Sequence, residues 1–323
     1  MKQISVIFSI TWLGLFACEL FAQNLQQGQT AFEQNKYADA KKILTAIDDD
    51  HKDYAQAQFI LGQIAFTEKK YDDASEFFEE AIDANDKVAQ YHYWLGAAYG
   101  QEAKSANMLK QGLLAPKIKS AFEKCVALDG KHKDGLTGLV QYYLQAPSFM
   151  GGDKDKALVF AKKLKAIDPL EGTILLGQAY EKIGKDTDAE KEYLELVKNQ
   201  PNEITPLVVL GNYYIGKKKY QQALDLYENS LKQKPNNMLL TYQIGKTAAI
   251  AGLALERGEA CLQSYLKHKP TPEEPSIEGA NFRLGMIYEK KNNKPEAKKY
   301  YETALKLDPK MEDAKEGLKR VGK

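Results

Sequence analysis

The chain has 323 residues, of which 44% are hydrophobic and 28% charged, so it carries enough apolar surface to build a core and is not disordered as a whole. Lys and Arg number 45 against 44 Asp and Glu, a net charge of +1 that removes any bulk attraction to nucleic acid or anionic lipid. Arginine occurs only at Arg257, Arg283 and Arg320, and a nucleic-acid reader without forked guanidinium donors is unusual, so nucleic-acid binding is excluded.

In chain order, the first element is an address. Lys2 precedes an uncharged apolar run from Ile4 to Ala17. A membrane-spanning helix needs about 20 such residues, so the run is too short for a permanent anchor and matches the core of a signal peptide. Two readings of its end stand. Leu20-Phe21-Ala22 puts a small residue before Gln23, giving a signal peptide over 1–22 and a freely exported protein, periplasmic or secreted. Leu15-Phe16-Ala17-Cys18 resembles the lipobox of bacterial lipoproteins, in which Cys18 carries the lipid and anchors the chain to the outer membrane. Phe16 and Glu19 depart from that motif, and the first reading is preferred.

From residue 23 onward the sequence repeats itself. Gly28 and Gly62, Tyr37 and Tyr71, and Ala40 and Ala74 are each 34 residues apart. The same offset of 34 relates Leu176-Gly177 to Leu210-Gly211, Tyr180 to Tyr214, Ala189 to Ala223, Tyr193 to Tyr227, Pro201 to Pro235 and Gly211 to Gly245. A last copy runs Leu284-Gly285, Tyr288, Ala297, Tyr301, Ala304, Pro309. Five landmarks at one offset, in separate pairs of copies, mark a structural repeat. Each copy reads as a helical hairpin. Leu-Gly-x-x-Tyr forms a first helix whose glycine admits a close neighbour. A polar turn follows, such as GKKKY over 216–220. Ala, an aromatic and a small residue at steps of four and three then mark one face of a second helix, and proline ends the unit. Alternating strand patterns do not appear.

These landmarks resemble the tetratricopeptide repeat (TPR) family over nearly all of residues 23–310. The resemblance implies an all-α, right-handed superhelical solenoid of about eight helix-turn-helix repeats, with first helices lining a concave groove. Residues 311–323 (MEDAKEGLKRVGK) read as a polar-faced capping helix. The third repeat carries an insertion over 100–120, predicting a long first helix that turns near Pro116. The fourth replaces its short turn with 143–157, where Pro147, Gly151 and Gly152 break the helix and Asp153 is placed to cap the next. Adjacent insertions of this kind fall on one side of such an array, where function concentrates. Exported bacterial TPR proteins without an assigned activity look similar here.

No catalytic constellation emerges. His51, His132 and His268 fall near inter-repeat turns and read as solvated loop histidines, while His92, two residues before Trp94, faces the expected groove. Gly211 to Lys218 has the spacing of a phosphate loop but ends in Lys218 and follows no strand. Asp153 and Asp155 lack the further oxygen ligands of a calcium loop, and Asp48 to Asp50 read as a solvated turn. Cys125 and Cys261 lie several repeats apart and are expected to be buried, unpaired thiols. The expectation is therefore no enzyme, no metal and no cofactor.

Function then lies in recognition. On first helices, positions one and four after the recurring glycine name Gln29, Phe32, Gln63, Phe66, Asn212 and Lys246, and positions three before it name Tyr93, Tyr242 and Phe282, as candidate groove lining. Phe66 and Tyr93 are the expected anchors for a peptide, although Phe32 and Phe66 read equally well as core. The carboxylate clamp that some TPR proteins use on chaperone C-termini fails here, since Gln29 and Gln63 replace its asparagines, Ala97 its lysine and Gln101 its arginine. The expectation is a scaffold or adaptor that binds a protein or peptide segment. The alternative is a small-ligand or glycan-binding solenoid that uses the two insertions.

Overall fold

A computed structural model describes residues 24–322, and the expectations for residues 1–22, Cys18 among them, lie outside the described residues. Two compact units divide the chain between Asp186 and Thr187, inside the fifth predicted repeat. The first contains α1 (24–33), α2 (Tyr37–Leu44), α3 (Tyr54–Thr67), α4 (Tyr71–Ala84), α5 (Ala89–Ser105), α6 (Met108–Leu128), α7 (Lys133–Gln145), α8 (Lys154–Ile167) and α9 (Pro169–Lys182). The second contains α10 (Asp186–Asn199), α11 (Thr205–Gly216), α12 (Tyr220–Gln233), α13 (Met238–Ala251), α14 (Leu255–Tyr265), α15 (Ile277–Lys290), α16 (Lys294–Leu307) and α17 (Glu312–Val321). Among the described residues no strand occurs. The fold is all-α.

The recurring glycine sets how each hairpin closes. A methyl group at Gly62 on α3 would sit 2.5 Å from the ring of Phe78 on α4, and one at Gly285 on α15 would sit 2.5 Å from the ring of Tyr301 on α16. Gly28 stands in the same relation to Leu44, and Gly211 to Tyr227, always sixteen positions on. Phe78, Tyr227 and Tyr301 are fully buried. Each such ring contributes about 1.5–3 kcal/mol by leaving water. The hairpin turns repeat as well: Asn35 and Lys69, then Gly184, Lys218 and Gly252, occupy left-handed backbone at the same interval as the side-chain landmarks. Non-glycine residues there are strained by roughly 1–2 kcal/mol, so the turn geometry is imposed by helix packing rather than by local preference.

The insertions build differently from expectation. The first helix of the third repeat is longer, 17 residues, but it ends at Ser105 rather than near Pro116. Asn107 accepts a hydrogen bond from the Lys110 backbone at 2.9 Å and so caps a new helix, leaving Pro116 inside the 21-residue α6. A good cap outweighs a proline whose ring lies on the exposed side. In the fourth repeat α7 stops at Gln145, and Pro147 leads into a short 3-10 turn, Ser148–Met150. Gly152 packs against the Ala146 carbonyl where a methyl would sit 1.8 Å away. Asp153 then caps α8 by accepting from the backbone of Asp155 and Lys156 at 3.1 and 3.0 Å. At the carboxyl end α17 buries Ala314, Gly317 and Val321 against α16, while Arg320 grips Glu289 through Nε and Nη2 at 2.7 and 3.0 Å.

Two tyrosines at equivalent positions differ in one hydrogen bond. Tyr301 donates to Glu289 at 2.5 Å, whereas the Tyr227 hydroxyl is buried with no partner. An unsatisfied buried hydroxyl costs about 1–3 kcal/mol. Tyr227→Phe is therefore expected to raise stability by about 1 kcal/mol and Tyr301→Phe to lower it by a similar amount, read by urea denaturation.

Candidate functional site

In the first unit the longer α5, α6 as far as Phe122, α7 and the 3-10 turn line a cleft of about 460 Å³. Its aromatic lining is Tyr93, Phe122 and Tyr142. Its polar lining is Gln101, Lys104, Gln111, Asp134, Thr137, Gln141 and Gln145. Gly96, Ala97 and Gly100 keep the α5 wall low, and a methyl at Gly100 would meet nothing within 4 Å. Gln111 donates to the Ala106 carbonyl at 3.0 Å within the first insertion, and Tyr142 donates to the Met150 carbonyl, which ties the second insertion to α7. They also carry exposed apolar side chains. Met108, Leu109, Leu113 and Phe149 are 78, 77, 66 and 82% exposed, more than any other large apolar residue described.

The electrostatics of this cleft fit binding rather than chemistry. Burial first, and the Asp134 charge second, push the Tyr93 phenol above its ordinary value. Burial likewise raises Tyr142, with Glu123 adding to it. Both phenols stay protonated donors at neutral pH. The remaining polar groups are mainly amides, which both donate and accept and so match the groups of a peptide backbone.

The residues named from sequence fall in several environments. Tyr93 lies in the cleft, packed against Trp94, Phe122 and His132 with ring centroids 5.7, 6.2 and 5.3 Å away. Phe66 is half-buried between Tyr71 and Trp94, at 5.2 and 5.1 Å. Phe32 is half-buried beside Tyr37 at 6.1 Å. Gln29 is exposed and donates to Glu33 at 3.1 Å, and Gln63 is half-buried. In the second unit Tyr242 and Phe282 sit in hydrophobic cores, while Lys246 donates to Asn212 at 3.0 Å. Ala97 and Gln101, the positions that exclude the chaperone clamp, line the cleft.

The histidines are more structural than their loop positions imply. His132 caps α7, its Nδ1 accepting from the Gly135 backbone at 3.1 Å while Nε2 meets Gln90 at 2.8 Å. His268 pairs with Glu274 at 2.8 Å. His92 is buried, held 2.9 Å from the Asp86 carbonyl, and borders a pocket beside Glu79 and Tyr99 instead of the cleft. Gly211 to Gly216 is helical, so its backbone amides serve α11 and not a phosphate. Asp134, Thr137, Gln141 and Gln145 escaped the sequence reading. Their signal was a polar stripe at helical spacing, hidden because the fourth repeat lacks the Leu-Gly-x-x-Tyr register.

With this geometry established, the comparisons are specific. The tetratricopeptide repeat family matches residues 25–89, 205–237 and 279–311. A crystal structure of a tetratricopeptide repeat protein from Parabacteroides merdae superposes with a TM-score of 0.54 at 12% identity, covering 94% of this chain and 99% of that one. The C-terminal part of a TPR repeat-containing protein from Cytophaga hutchinsonii gives 0.50 at 16% identity, covering 91% and 99%. These two likenesses carry the fold. Among curated proteins, the Tetratricopeptide repeat protein 21 homolog of Caenorhabditis briggsae is 26% identical over 220 residues, 63% of this chain and 16% of that protein. Anaphase-promoting complex subunit 3 of Schizosaccharomyces pombe is 26% identical over 135 residues, 42% of this chain and 19% of that protein. The Peroxisomal targeting signal receptor of Saccharomyces cerevisiae is 23% identical over 173 residues, 52% of this chain and 27% of that protein. The chain thus spans well under a third of these relatives. Three stretches of the chain are thus tetratricopeptide repeats, in an all-α fold that the two solved structures share.

Both thiols are free, buried and shifted upward, Cys125 to about 12 and Cys261 to about 11, in each case chiefly by burial. A thiol reacts as thiolate, so neither is expected to take up iodoacetamide at pH 8 while the chain is folded. Both are expected to react in urea. Rapid alkylation of the folded chain, read by peptide mass spectrometry, contradicts this burial.

Proposed function

We propose that the protein is a non-catalytic interaction scaffold that binds an extended segment of a partner protein in the cleft between α5, α6 and α7. The observation that carries this reading is the cleft itself, with an amide-rich floor between aromatic side chains and two insertions forming its outer wall. Amides at this density match a backbone's alternating donors and acceptors, and Tyr93 supplies an aromatic platform. The exposed apolar side chains of the same insertions give the partner a hydrophobic surface beside the cleft. The naming of the curated relatives as a subunit of a complex and as a targeting-signal receptor supports a protein as partner. A second reading rests on the same volume, which suits a small polar ligand or a glycan.

The site of action belongs to this proposal. The apolar run in residues 1–22 supports a scaffold that is exported, periplasmic or secreted, with Cys18 as the alternative lipid-bearing residue. Intact mass of the protein purified from cells is expected to correspond to a chain that begins at Gln23. A lipid-bearing mass that begins at Cys18 selects the anchored form, and a mass that retains Met1 overturns export.

Partner capture by crosslinking in the native cell, followed by mass spectrometry, tests the cleft. Tyr93→Ala combined with Gln141→Ala is expected to lower recovery of the crosslinked partner by about tenfold, the scale of losing a central aromatic and its hydrogen bonds. Unchanged recovery with a folded double variant removes the cleft from the proposal. Binding of an oligosaccharide but no protein selects the second reading.

A further inference from the structure

From Met108 to Phe122, α6 is apolar on two opposite sides. At 3.6 residues per turn Ala115, Ile118 and Phe122 share the side that lines the cleft, and Leu109, Leu113 and Pro116 share the side turned away from it. The first three are buried and the second three exposed. A segment held in the cleft lies on the far side of α6 and leaves the outer stripe uncovered. A helix that is apolar all round belongs in a core or against a bilayer, and only one side of this one meets a core.

The second insertion widens this surface. Met150 of the 3-10 turn comes within 3.9 Å of where a methyl at Gly112 would stand, and Lys119 within 3.6 Å of one at Gly151. The turn is thus seated against the side of α6 that carries Gly112 and Lys119, next to the stripe. It presents Phe149, the most exposed large apolar side chain described. Lysines border the whole. Lys110 and Lys117 lie on one flank of the stripe, Lys119 on the other, and Lys104 stands at the end of α5 just before it. Between Glu102 and Glu123 the chain carries these four lysines and no carboxylate. Glu102 meets Lys110 at 2.6 Å and Glu79 meets Lys117 at 3.7 Å, which leaves Lys104 and Lys119 without a carboxylate among the described residues. On the second insertion Asp153 and Asp155 are balanced by Lys154 and Lys156.

We propose that this corner of the first unit lies in the plane of an anionic bilayer surface, with Leu109, Leu113 and Phe149 among the acyl chains and Lys104 and Lys119 at the phosphates. Large apolar side chains flanked by lysines are what an in-plane membrane contact uses. Each lysine held near an anionic surface adds a short-range attraction. The near-zero net charge of the chain supplies no long-range pull, so the contact rests on this local excess. Two other covers fit the surface less well. A second copy seated on the same face by two-fold symmetry sets lysines against lysines. Interfaces with other proteins are depleted in lysine. Among the described residues no helix is long and apolar enough to cross a membrane, so this contact lies on the bilayer and does not span it. The inference goes beyond the scaffold reading and stands apart from it, since lipid binding needs no partner protein.

The test is co-sedimentation with lipid vesicles of the purified chain from Gln23 onward. That chain keeps every described helix and omits the apolar run from Ile4 to Ala17 and Cys18, so neither can anchor it. Wild type is expected to sediment with vesicles of phosphatidylcholine and phosphatidylglycerol in equal parts, and about tenfold more weakly with phosphatidylcholine alone. Leu109→Ser, Leu113→Ser and Phe149→Ser combined are expected to weaken binding to the mixed vesicles by at least about tenfold. Lys104→Gln with Lys119→Gln is expected to weaken it by about tenfold. Phe149→Trp changes one exposed ring for another and covers the case in which the triple variant fails to fold. It is expected to bind as wild type does, with its fluorescence moving to shorter wavelength on the mixed vesicles. The proposal is overturned if wild type does not sediment with the mixed vesicles, or sediments equally with phosphatidylcholine alone. It is equally overturned if the triple variant sediments as wild type does, or if the Phe149→Trp emission does not move. Self-association of wild type that the triple variant loses assigns the face to a second copy and overturns the proposal. A protein captured by wild type and lost by the triple variant, without vesicle binding, does the same in favour of a protein partner.

Discussion

The structure depends on one close approach, a helix backbone against a large buried side chain of the next helix. Where Gly62 meets Phe78 or Gly285 meets Tyr301, there is no room for even a methyl group. The approach lets a ring fill the space between helices that share too little surface to fold alone, and each hairpin needs its neighbours to finish its core. The rings also serve more than one hairpin. Phe122 is met by Gly96 within its own repeat and by Gly138 of the following one, and Tyr301 by Gly285 and by Gly317 of α17. The same ring therefore closes one hairpin and docks the next. This shared use is why the small residue and the ring recur at fixed positions while the surface between them varies.

Tyrosine outnumbers phenylalanine, 19 to 12, and the hydrogen bonds give a reason. Tyr143, Tyr288 and Tyr301 place their rings in the core or at its edge and donate to Glu123, Glu259 and Glu289 at 2.6, 2.6 and 2.5 Å. A phenol thus fills volume at one end and ties a carboxylate at the other. Tyr227, which lacks that carboxylate, shows that volume rather than the hydrogen bond selects the ring at this position.

Hairpin architecture was legible because it rests on local, periodic residues. The interval between Gly28 and Gly62 reappears as the interval between the left-handed turns at Asn35 and Lys69. What escaped the reading rests on competition between signals. Pro116 is a strong helix breaker in isolation, yet the Asn107 cap nine residues earlier starts a helix that carries it. The solvated reading of His132 failed because a cap is a matter of backbone geometry that residue type alone does not reveal. The cleft was only half legible: both insertions and Tyr93 stood out, whereas the α7 stripe from Asp134 to Gln145 is visible only once its register against α5 and α6 is known. Asn212 and Lys246 were placed on groove positions by their offset from glycine.

The claim that closeness at the glycine, rather than helix propensity, specifies each hairpin is tested most directly by a double-mutant cycle at Gly62 and Phe78. Gly62→Ala alone gains about 1 kcal/mol of helix propensity but overfills the gap at a cost of about 1–3 kcal/mol. In a Phe78→Leu background the smaller side chain makes room for the methyl. Urea denaturation is predicted to give Gly62→Ala as destabilising in wild type and stabilising beside Phe78→Leu, with a coupling energy of at least about 1 kcal/mol. Additive effects, with Gly62→Ala stabilising in both backgrounds, contradict the account.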